Sequence, residues 1–507
     1  MLNRMAGVLM HISSLPGPYG IGTLGQEARD FAALLARMGF SAWQVLPLSP
    51  PALGDSPYTS TSAFAGNPYF IDPGQLLQTG LLTAAQADEA RDPTPGYAVD
   101  YGFLARTRPR MLRQAYAACS PDQLSAARDF AKEQAWLPDY ALFTVLKDRS
   151  GGLPWWQWPD EGLRLHRPEA LRQALADFRE EVEYHYFVQH CFFTQWQALK
   201  SDVNDLGIGL IGDMPIYVAL DSADAWSHSE LFDLDEEHLP RSVAGVPPDY
   251  FAAEGQLWGN PLYDWQAMAQ DGYAWWVSRI GWALSSFDAV RIDHFRGFAA
   301  YWAVPSTAKT AVEGAWRPGP GLALFQALEA AYPNAAIIAE DLGDVDASVH
   351  ALRQAAGFPG MAVLQFAFQG DEHSPHLPHN MTPNTIAYTG THDNNTTLGW
   401  LWELSPSERQ DALSYAGFED GSWGEGGPKA PAVRALLRTL YQSPARVAMA
   451  PIQDLLGYGG DTRMNIPGVA EGNWRFRVTP QGLSSLDVDG LRQLCQTYRR
   501  QHPFGRS

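Results

Sequence analysis

Eight short apolar runs are spaced along this 507-residue chain, and most of the gaps between them have the periodicity of amphipathic helices. Strands that alternate with helices predict a parallel sheet, because each parallel pair needs a crossover connection. Eight is also the number of strands that closes such a sheet into a barrel. The sequence therefore predicts an α/β fold, a (β/α)₈ or TIM barrel. The predicted strands cover residues 7–12, 42–48, 208–218, 289–295, 336–342, 360–368, 385–393 and 446–456.

Two connections are too long for plain strand-to-helix units. The second and third predicted strands are separated by residues 49–207, whose helical patterns predict an inserted helical subdomain over about residues 70–190. The segment of about residues 219–266 is rich in glycine, proline and aromatic residues, which is typical of a functional loop or lid. We therefore expect a single catalytic barrel domain, residues 1–507, with both insertions on its C-terminal rim and no C-terminal β-domain.

The chain carries 56 acidic and 36 basic residues, a formal net charge of −20. Nucleic acids and anionic membrane surfaces select basic patches, so this balance argues against both as partners. No stretch approaches the length of about 18 apolar residues that a membrane-spanning helix needs, and the N-terminus lacks a signal-peptide pattern. The three cysteines are too widely spaced for a zinc motif or a disulfide framework. We expect a cytoplasmic protein that is a monomer or a simple homo-oligomer.

One glycine motif, Gly20-Ile-Gly-Thr-Leu-Gly, matches the dinucleotide-binding pattern but lacks its context. In a nucleotide site the first glycine follows the strand directly, whereas Pro16, Gly17 and Pro18 intervene here. The second predicted strand also ends without the acidic residue that binds the ribose. The motif therefore indicates glycine-rich backbone near a cleft rather than a nucleotide site.

Acidic residues stand at the ends of several predicted strands, where the active sites of such barrels lie. They are Asp213 on the third run, Asp293 on the fourth, Glu340 on the fifth and Asp393 on the seventh. Arg291 lies two residues before Asp293, so both side chains point to one face of a strand. A charged pair inside a barrel is unfavourable unless it is paired or functional. Each acid alone also fits a helix N-cap or a loop salt bridge, but the set together favours a catalytic site.

A set of carboxylates around one cleft suits the cleavage of glycosidic bonds. One carboxylate attacks the anomeric carbon, and a second, protonated, gives a proton to the leaving oxygen. A third can hold sugar hydroxyls and support the positive charge of the oxocarbenium-like transition state. An arginine beside the nucleophile keeps it ionised and oriented. The 61 aromatic residues, 18 of them tryptophan, fit either a large core or platforms for sugar rings, and the acidic charge favours sugars over bases.

At these residues the sequence resembles the α-amylase clan, and more closely the amylomaltase family of 4-α-glucanotransferases, over essentially the whole chain. The resemblance rests on an ordered set of motifs. Around the acids these are Arg291-Ile-Asp-His-Phe-Arg-Gly, Ala339-Glu-Asp-Leu-Gly, Gly390-Thr-His-Asp-Asn and Gly212-Asp-Met-Pro-Ile-Tyr-Val. The others are Ser56-Pro-Tyr, Phe64-Ala-Gly-Asn-Pro, Pro247-Pro-Asp-Tyr-Phe, Gly255-Gln-Leu-Trp-Gly-Asn-Pro, Gln453-Asp-Leu-Leu-Gly and Arg463-Met-Asn-Ile-Pro-Gly.

The resemblance implies transfer of α-1,4-glucan segments between maltooligosaccharides or starch-type glucans, by a retaining double displacement through a covalent glycosyl-enzyme. It implies Asp293 as the nucleophile, Glu340 as the acid/base and Asp393 as the transition-state stabiliser, with no metal and no organic cofactor. Tyr101 is a candidate for a second glucan site. The implied substrate-binding residues are Arg291, Asp213, His294, His392, Tyr58, Asp249, Gln256, Trp258 and Asn465.

Two other functions share this framework. An α-glucan hydrolase of the α-amylase clan uses the same three acids, because both reactions pass through a glycosyl-enzyme and differ in whether water or a sugar hydroxyl resolves it. The aromatic residues Tyr250, Phe251 and Trp258 in the 219–266 segment favour transfer, since a lid excludes water. A non-catalytic glucan-binding protein is the other alternative, and the intact acids argue against it.

Overall fold

The computed structural model describes residues 2–52, 54–93, 96–248, 253–343, 345–469 and 471–505. Twelve strands within these residues form one sheet of eight strands and one sheet of four strands. The strands are β1 (Met5–Leu9), β2 (Ala42–Gln44), β3 (Gly209–Met214), β4 (Ser242–Val246), β5 (Gln256–Pro261), β6 (Ala289–Ile292), β7 (Ala300–Pro305), β8 (Ala315–Pro318), β9 (Ile337–Ala339), β10 (Gly360–Val363), β11 (Thr385–Tyr388) and β12 (Val447–Pro451).

The eight-stranded sheet is parallel throughout and has the order β10-β11-β12-β1-β2-β3-β6-β9. Its two ends meet, because the backbone N–H of Ala339 in β9 donates to the carbonyl of Pro359, directly before β10, at 2.9 Å. The structure thus confirms the predicted (β/α)₈ barrel. Its eight strands overlap the eight predicted runs, and all eight are shorter because the chain leaves the sheet before each apolar run ends.

Helices surround the barrel and extend its rim. The first shows how the sequence defines such an element: Phe31 and Leu35 are buried on one face, and Gly39 ends the helix with a φ of 78°. None of the helices in the described residues combines the length and the apolar composition that spanning a bilayer requires. The helices are α1 (Gln26–Met38), α2 (Pro73–Gln78), α3 (Ala84–Glu89), α4 (Tyr101–Ala117), α5 (Pro121–Glu133), α6 (Leu137–Arg149), α7 (Glu161–Arg164), α8 (Pro168–Asp177), α9 (Arg179–Asp205), α10 (Ala223–Ser227), α11 (Trp265–Gln270), α12 (Ala274–Ser286), α13 (Leu322–Ala331), α14 (Ala347–Ala355), α15 (Thr397–Glu403), α16 (Pro406–Tyr415), α17 (Pro431–Gln442), α18 (Ile452–Leu456), α19 (Pro480–Ser484) and α20 (Val488–Thr497).

The long connections carry their own secondary structure. The connection from β2 to β3 contains α2 to α9 and is mainly helical. The described residues of the 219–266 segment form more than a loop: they contain α10, β4 and β5, and β4 pairs antiparallel with both β5 and β7. Together with β8 these strands make the four-stranded sheet. After β12, the described residues contain α18 to α20 and no further strand.

Side chains along each barrel strand alternate between the interior and the outer face, and this alternation separates charged from apolar residues. β3 and β6 pair so that Asp213 lies beside Arg291. Because adjacent residues of a strand point to opposite faces, the neighbours Val290 and Ile292 face outward, where they belong to one hydrophobic cluster with Phe325 of α13. The charged pair is thereby placed in the barrel interior.

Candidate active site

The floor of the site is a buried ion pair between β3 and β6. Nη1 of Arg291 donates to both carboxylate oxygens of Asp213 at 2.7 Å, and the hydroxyl of Tyr58 donates to Oδ2 of Asp213 at 2.8 Å. The side chain of Asp213 is 0% exposed and that of Arg291 is 4% exposed. Buried charges persist when they are paired and hydrogen-bonded, as both are here. The floor is therefore a hydrogen-bonded network of three side chains.

Arg291 also holds Asp293, which directly follows β6. Nη2 of Arg291 lies 2.9 Å from Oδ1 of Asp293, whose side chain is 27% exposed and lines the cleft. Burial acts against the charge of Arg291, yet the carboxylates of Asp213 and Asp293 raise its pKa well above the usual range. A permanent cation thus orients a carboxylate that ligands can reach, which is the arrangement that a carboxylate nucleophile needs.

Glu340 directly follows β9, and two backbone N–H groups hold its carboxyl group. The N–H of His294 donates to Oε2 at 2.6 Å and that of Leu342 donates to Oε1 at 3.0 Å. Desolvation and the charge of Asp293 raise the pKa of Glu340 to about 8, although Arg291 and the two hydrogen bonds act in the opposite direction. At neutral pH Glu340 is therefore mainly protonated, as a general acid must be.

Asp393 lies in the loop after β11 and is oriented by two side chains. Nδ2 of Asn465 donates to Oδ1 of Asp393 at 2.6 Å, and Nε2 of His392 lies 3.4 Å from Oδ2. The ring of His392 stacks on Tyr58, with centroids 5.0 Å apart and planes 16° apart. Since Tyr58 also binds Asp213, the third acid is linked to the same floor as the first two.

The cleft above these acids has an open volume of about 970 Å³ and a wall of aromatic and polar side chains. Trp258 of β5 packs edge-on against His294, with centroids 4.8 Å apart, and its Nε1 donates to Oε1 of Gln256 at 3.0 Å. Across the cleft, the ring of Trp474 lies 5.6 Å from that of Tyr58. Flat apolar faces with hydrogen-bonding groups between them suit the rings and hydroxyls of sugars.

The structure brings together every predicted site residue that it describes. Asp249 lies outside the described residues, as do Tyr250 and Phe251 of the predicted lid. Tyr101 lies behind the wall of the cleft, where its hydroxyl donates to the backbone carbonyl of Trp474 at 3.0 Å. Those that line the cleft are Tyr58, Gln256, Trp258, Asp293, His392, Asp393 and Asn465. Asp213, Arg291 and His294 contact these residues from below or beside. Glu340 is joined to the same site through the backbone N–H of His294.

Sequence reasoning left three residues out of the predicted site. Tyr217 lines the cleft, and Arg463 donates through Nη2 to the backbone carbonyl of Asp393. Both lie in motifs on which the family resemblance rests, so the resemblance is the signal that could have identified them. Trp474 has a positive φ of 65°, which is uncommon for an aromatic residue, and nothing in the local sequence pattern indicates that its ring reaches Tyr58.

The chemistry of the site rests on carboxyl groups, one arginine and two histidines. Among the residues that the structure describes, no group of three or more His, Cys, Asp or Glu side chains is arranged to hold a metal ion. The acids instead have protein partners, above all Arg291 and the backbone N–H of His294.

Known proteins are similar to this chain in sequence and in architecture. Residues 10–483 match the family described as 4-alpha-glucanotransferase. The 4-alpha-glucanotransferase of Thermus thermophilus is 46% identical over 508 residues, which cover 98% of this chain and 99% of that protein. The chloroplastic/amyloplastic 4-alpha-glucanotransferase of Solanum tuberosum is 41% identical over 511 residues, covering 98% of this chain and 86% of the relative.

Solved structures agree with these relatives. The amylomaltase from Streptococcus agalactiae, solved in complex with acarbose, superimposes with a TM-score of 0.94 at 38% identity and covers 98% of this chain and 99% of its own. The amylomaltase from Corynebacterium glutamicum shares the fold, with a TM-score of 0.76 at 20% identity over 98% of this chain and 75% of its own. All the acids of the site lie within the matched residues 10–483. The chain belongs to the 4-α-glucanotransferase family, the amylomaltases.

Proposed function

We propose that this transferase moves α-1,4-glucan segments between maltooligosaccharides or starch-type glucans by a retaining double displacement. The observation that carries the proposal is the unequal pair of carboxyl groups: Asp293 lies beside the cation of Arg291, whereas the pKa of Glu340 is raised to about 8. One environment favours the ionised form of a carboxyl group and the other favours the protonated form. Such a difference assigns one group to nucleophilic attack and the other to proton donation. The acarbose complex of the Streptococcus agalactiae amylomaltase supports a sugar ligand.

In the first step, a carboxylate oxygen of Asp293 attacks the anomeric carbon of the donor. The bond from that carbon to the glycosidic oxygen breaks, and Glu340 gives its proton to this oxygen, so that the leaving chain departs with a free hydroxyl. The donor segment stays bound as an ester of Asp293. Asp393 stabilises the positive charge that the sugar ring develops on the way.

In the second step, the ionised Glu340 takes the proton of an acceptor hydroxyl. The acceptor oxygen attacks the anomeric carbon from the face opposite Asp293, the ester bond breaks, and the Asp293 carboxylate is restored. Two inversions leave the product with the configuration of the donor. Glu340 ends the cycle protonated, as it began.

The other site residues are assigned to holding the glucan. Arg291, Asp213, His294 and His392 form the glucosyl site before the scissile bond, and Tyr58 supplies a ring for stacking. The hydrogen bond from Tyr58 to Asp213 and the stacking of Tyr58 on His392 support this assignment. The residues assigned to further glucan contacts are Asp249, Gln256, Trp258 and Asn465.

We expect Arg291→Lys to fold but to lose about 10²-fold in kcat, the size of loss that a misplacement of about 1 Å can cause. The guanidinium reaches Asp213 through Nη1, Asp293 through Nη2 and Sδ of Met361 through Nε at 3.4 Å. An ammonium is a point charge and cannot reproduce this fork. Circular dichroism and kcat with maltotriose check the prediction, and kcat near wild type would show that Arg291 has only a structural role.

Transfer must outcompete hydrolysis at the glycosyl-enzyme. Water is on the order of 10⁴–10⁵ times more concentrated than a millimolar sugar, so a hundredfold excess of transfer needs a preference of ~10⁶–10⁷, or about 8–10 kcal/mol. Positioning of an acceptor supplies roughly 7–11 kcal/mol. The acceptor must therefore be held firmly beside the anomeric carbon while bulk water is excluded.

Trp258 is suited to both tasks, because it lines the cleft and packs on His294 beside Asp293. We expect Trp258→Ala to raise the ratio of hydrolysis to transfer at least several-fold rather than to lower both rates equally. Trp316 of β8 is a matched control, since it is an exposed tryptophan on the same sheet. The ratio is read from reducing-end release and oligomer products, and an unchanged ratio in Trp258→Ala would show that Trp258 only binds donor.

Product analysis with maltotriose tests the proposed function as a whole. Transfer gives glucose together with a ladder of longer oligomers, whereas hydrolysis gives mainly glucose and maltose. Asp293→Asn, purified in parallel, shows how much of either activity comes from contaminating enzymes. A protein that binds maltooligosaccharides but forms neither set of products would be a glucan-binding protein without catalysis.

We also infer a cytoplasmic location. Cys119, Cys191 and Cys495 are all free thiols. Thiols stay reduced in the cytosol, whereas oxidising compartments favour disulfides. Fractionation of source cells, followed by activity measurement on maltotriose, tests this inference.

A further inference from the structure

One buried carboxylate holds both ends of the loop that carries His392 and Asp393. Oδ2 of Asp454, in α18, accepts hydrogen bonds from Oγ1 of Thr389 at 2.5 Å and from Oγ1 of Thr397 at 2.7 Å. Oδ1 of Asp454 accepts a hydrogen bond from the backbone N–H of Thr397 at 2.6 Å. Thr389 directly follows β11 and Thr397 is the first residue of α15, so the two threonines bracket residues 390–396.

We propose that Asp454 is a positioning residue for Asp393, and through it for the transition state; this rests on the role proposed above for Asp393. Asp454, Thr389 and Thr397 are all buried, so water does not compete for their hydrogen bonds. Burial raises the pKa of Asp454, and the hydrogen bonds from Thr389 and Thr397 act in the opposite direction because they favour the carboxylate. Hydrogen bonds to a carboxylate are charge-assisted, and such bonds are shorter and about twice as strong as neutral ones. Asp454 therefore fixes the distance between the end of β11 and the start of α15.

The bonds inside the loop are local and shape only its turn. Oδ1 of Asn394 accepts from both N and Oγ1 of Thr391 at 2.9 Å, and the N–H of Asp393 donates to Oγ1 of Thr391 at 3.3 Å. Outside the loop, Nε2 of Gln365 donates to the carbonyl of Asn395 at 2.8 Å. Local bonds move with the turn as a unit. Asn465 and Arg463 also hold the loop from outside, at Asp393. The remaining attachment of the turn to the barrel is through its two ends, and Asp454 binds both.

The placement matters because electrostatic stabilisation needs catalytic groups held to within about 0.5 Å of the productive geometry. In Asp454→Asn one oxygen acceptor becomes an amide that donates. The backbone N–H of Thr397 cannot turn away, so the remaining side-chain oxygen must accept its hydrogen bond. The hydrogen bonds that the two threonine hydroxyls donate are then weakened, or the amide donates to the hydroxyls instead. The loop keeps its sequence and its local turn but loses the fixed span between its ends.

A purely structural role would act on stability alone, and Asp72 provides a matched control. Asp72 is also buried, and its carboxylate accepts from Oγ1 of Thr23 at 2.6 Å and from the N–H of Gln75 at 2.8 Å. It caps α2 and does not line the cleft. Asp72→Asn therefore breaks a comparable network without touching the loop that carries Asp393.

The experiment compares kcat and KM for maltotriose with the melting temperature in each variant. We expect Asp454→Asn to lower kcat by about 10- to 100-fold, the range known for removing an outer partner of a metal-binding side chain, and to change KM by less than about threefold. Asp72→Asn should lower the melting temperature but leave kcat within about twofold. If Asp454→Asn does not fold, Thr397→Val removes one hydroxyl bond and should lower kcat less strongly, while Thr397→Ser keeps that bond and should restore it.

A double-mutant cycle with Asp393→Asn, measured on a donor with an activated leaving group, identifies the route of the effect. If Asp454 acts through Asp393, adding Asp454→Asn to Asp393→Asn causes little further loss of kcat. If Asp454→Asn lowers kcat by the same factor in wild type and in Asp393→Asn, the proposal is overturned. An unchanged kcat in Asp454→Asn and Thr397→Val overturns it as well. If Asp393→Asn itself keeps full turnover, the proposed role of Asp393 is wrong and the positioning role fails with it; if only the Asp454 variants keep full turnover, the positioning role alone fails.

Discussion

Asp293→Asn is expected to abolish turnover, with a loss on the order of 10⁴-fold or more, because removal of a nucleophile eliminates the covalent route. The amide that replaces the carboxylate carries no charge and does not form a glycosyl ester. The fold should survive the change. Arg291 keeps both 2.7 Å hydrogen bonds to Asp213, so its charge stays paired in the barrel floor.

Mass spectrometry after incubation with an activated donor measures the covalent step directly. Wild type should gain the mass of one glycosyl segment on the peptide that contains Asp293, and the variant should gain none. Asp202→Asn serves as the control, since it removes the same charge from an exposed ion pair with Arg29. A glycosyl adduct on Asp293→Asn would place the nucleophile on another residue and contradict the proposed mechanism.

The barrel and its acids were accessible from the sequence because both depend on local periodicity. Arg291 and Asp293 lie two residues apart, so strand geometry alone placed them on one face, and the structure shows both bonded to each other in the barrel interior. Glu340 was found in the same way, as the residue that follows a buried run. Parallel strands of a barrel bring these ends to one rim, and no long-range information was needed.

Apart from Arg291, the side-chain partners of the acids could not be predicted from local patterns, because they come from segments that are distant in sequence. The hydrogen bond from Tyr58 to Asp213 spans 155 residues, and the one from Asn465 to Asp393 spans 72. No local pattern encodes which loops meet. The resemblance supplied Tyr58 and Asn465, but not Trp474, whose ring position depends on an unusual positive φ.

The small antiparallel sheet was missed for a different reason. β5 is an exposed edge strand that contains Gly259 and Pro261, so it lacks the alternation of buried and exposed residues that predicts a strand. It pairs with β4, and the pairing of β4 with β7 joins segments on either side of β6. A pattern read along one segment therefore suggested a loop where the structure has a sheet.

Glu340→Gln is expected to separate the two halves of the reaction. With maltotriose, kcat should fall by about 10²–10⁴-fold, the typical contribution of a general acid, because glutamine cannot protonate the leaving oxygen. With a glycosyl fluoride donor, whose leaving group departs without a proton, formation of the glycosyl-enzyme should stay much closer to wild type. Glu408→Gln, an exposed capping residue of α16, is the control.

The pH dependence provides a second signature of the same group. Because the pKa of Glu340 is raised to about 8, the proton donor is present below that pH and lost above it. The kcat/KM of wild type on maltotriose should therefore fall as pH rises through about 8, and this alkaline limb should be absent in Glu340→Gln on the fluoride donor.

Added azide then tests whether Glu340 also serves as the base of the second step. Azide is already an anion and attacks the anomeric carbon without losing a proton, so it should restore turnover of the fluoride donor in Glu340→Gln. Attack from the face opposite Asp293 must give the α-glycosyl azide, the configuration of the donor. A β-glycosyl azide would mean direct displacement without a glycosyl-enzyme. If azide gives no rescue while the glycosyl-enzyme accumulates, Glu340 is not the base that acceptors need. Only a Glu340 that serves as both acid and base accounts for the alkaline limb, the surviving fluoride reaction and the α-azide product together.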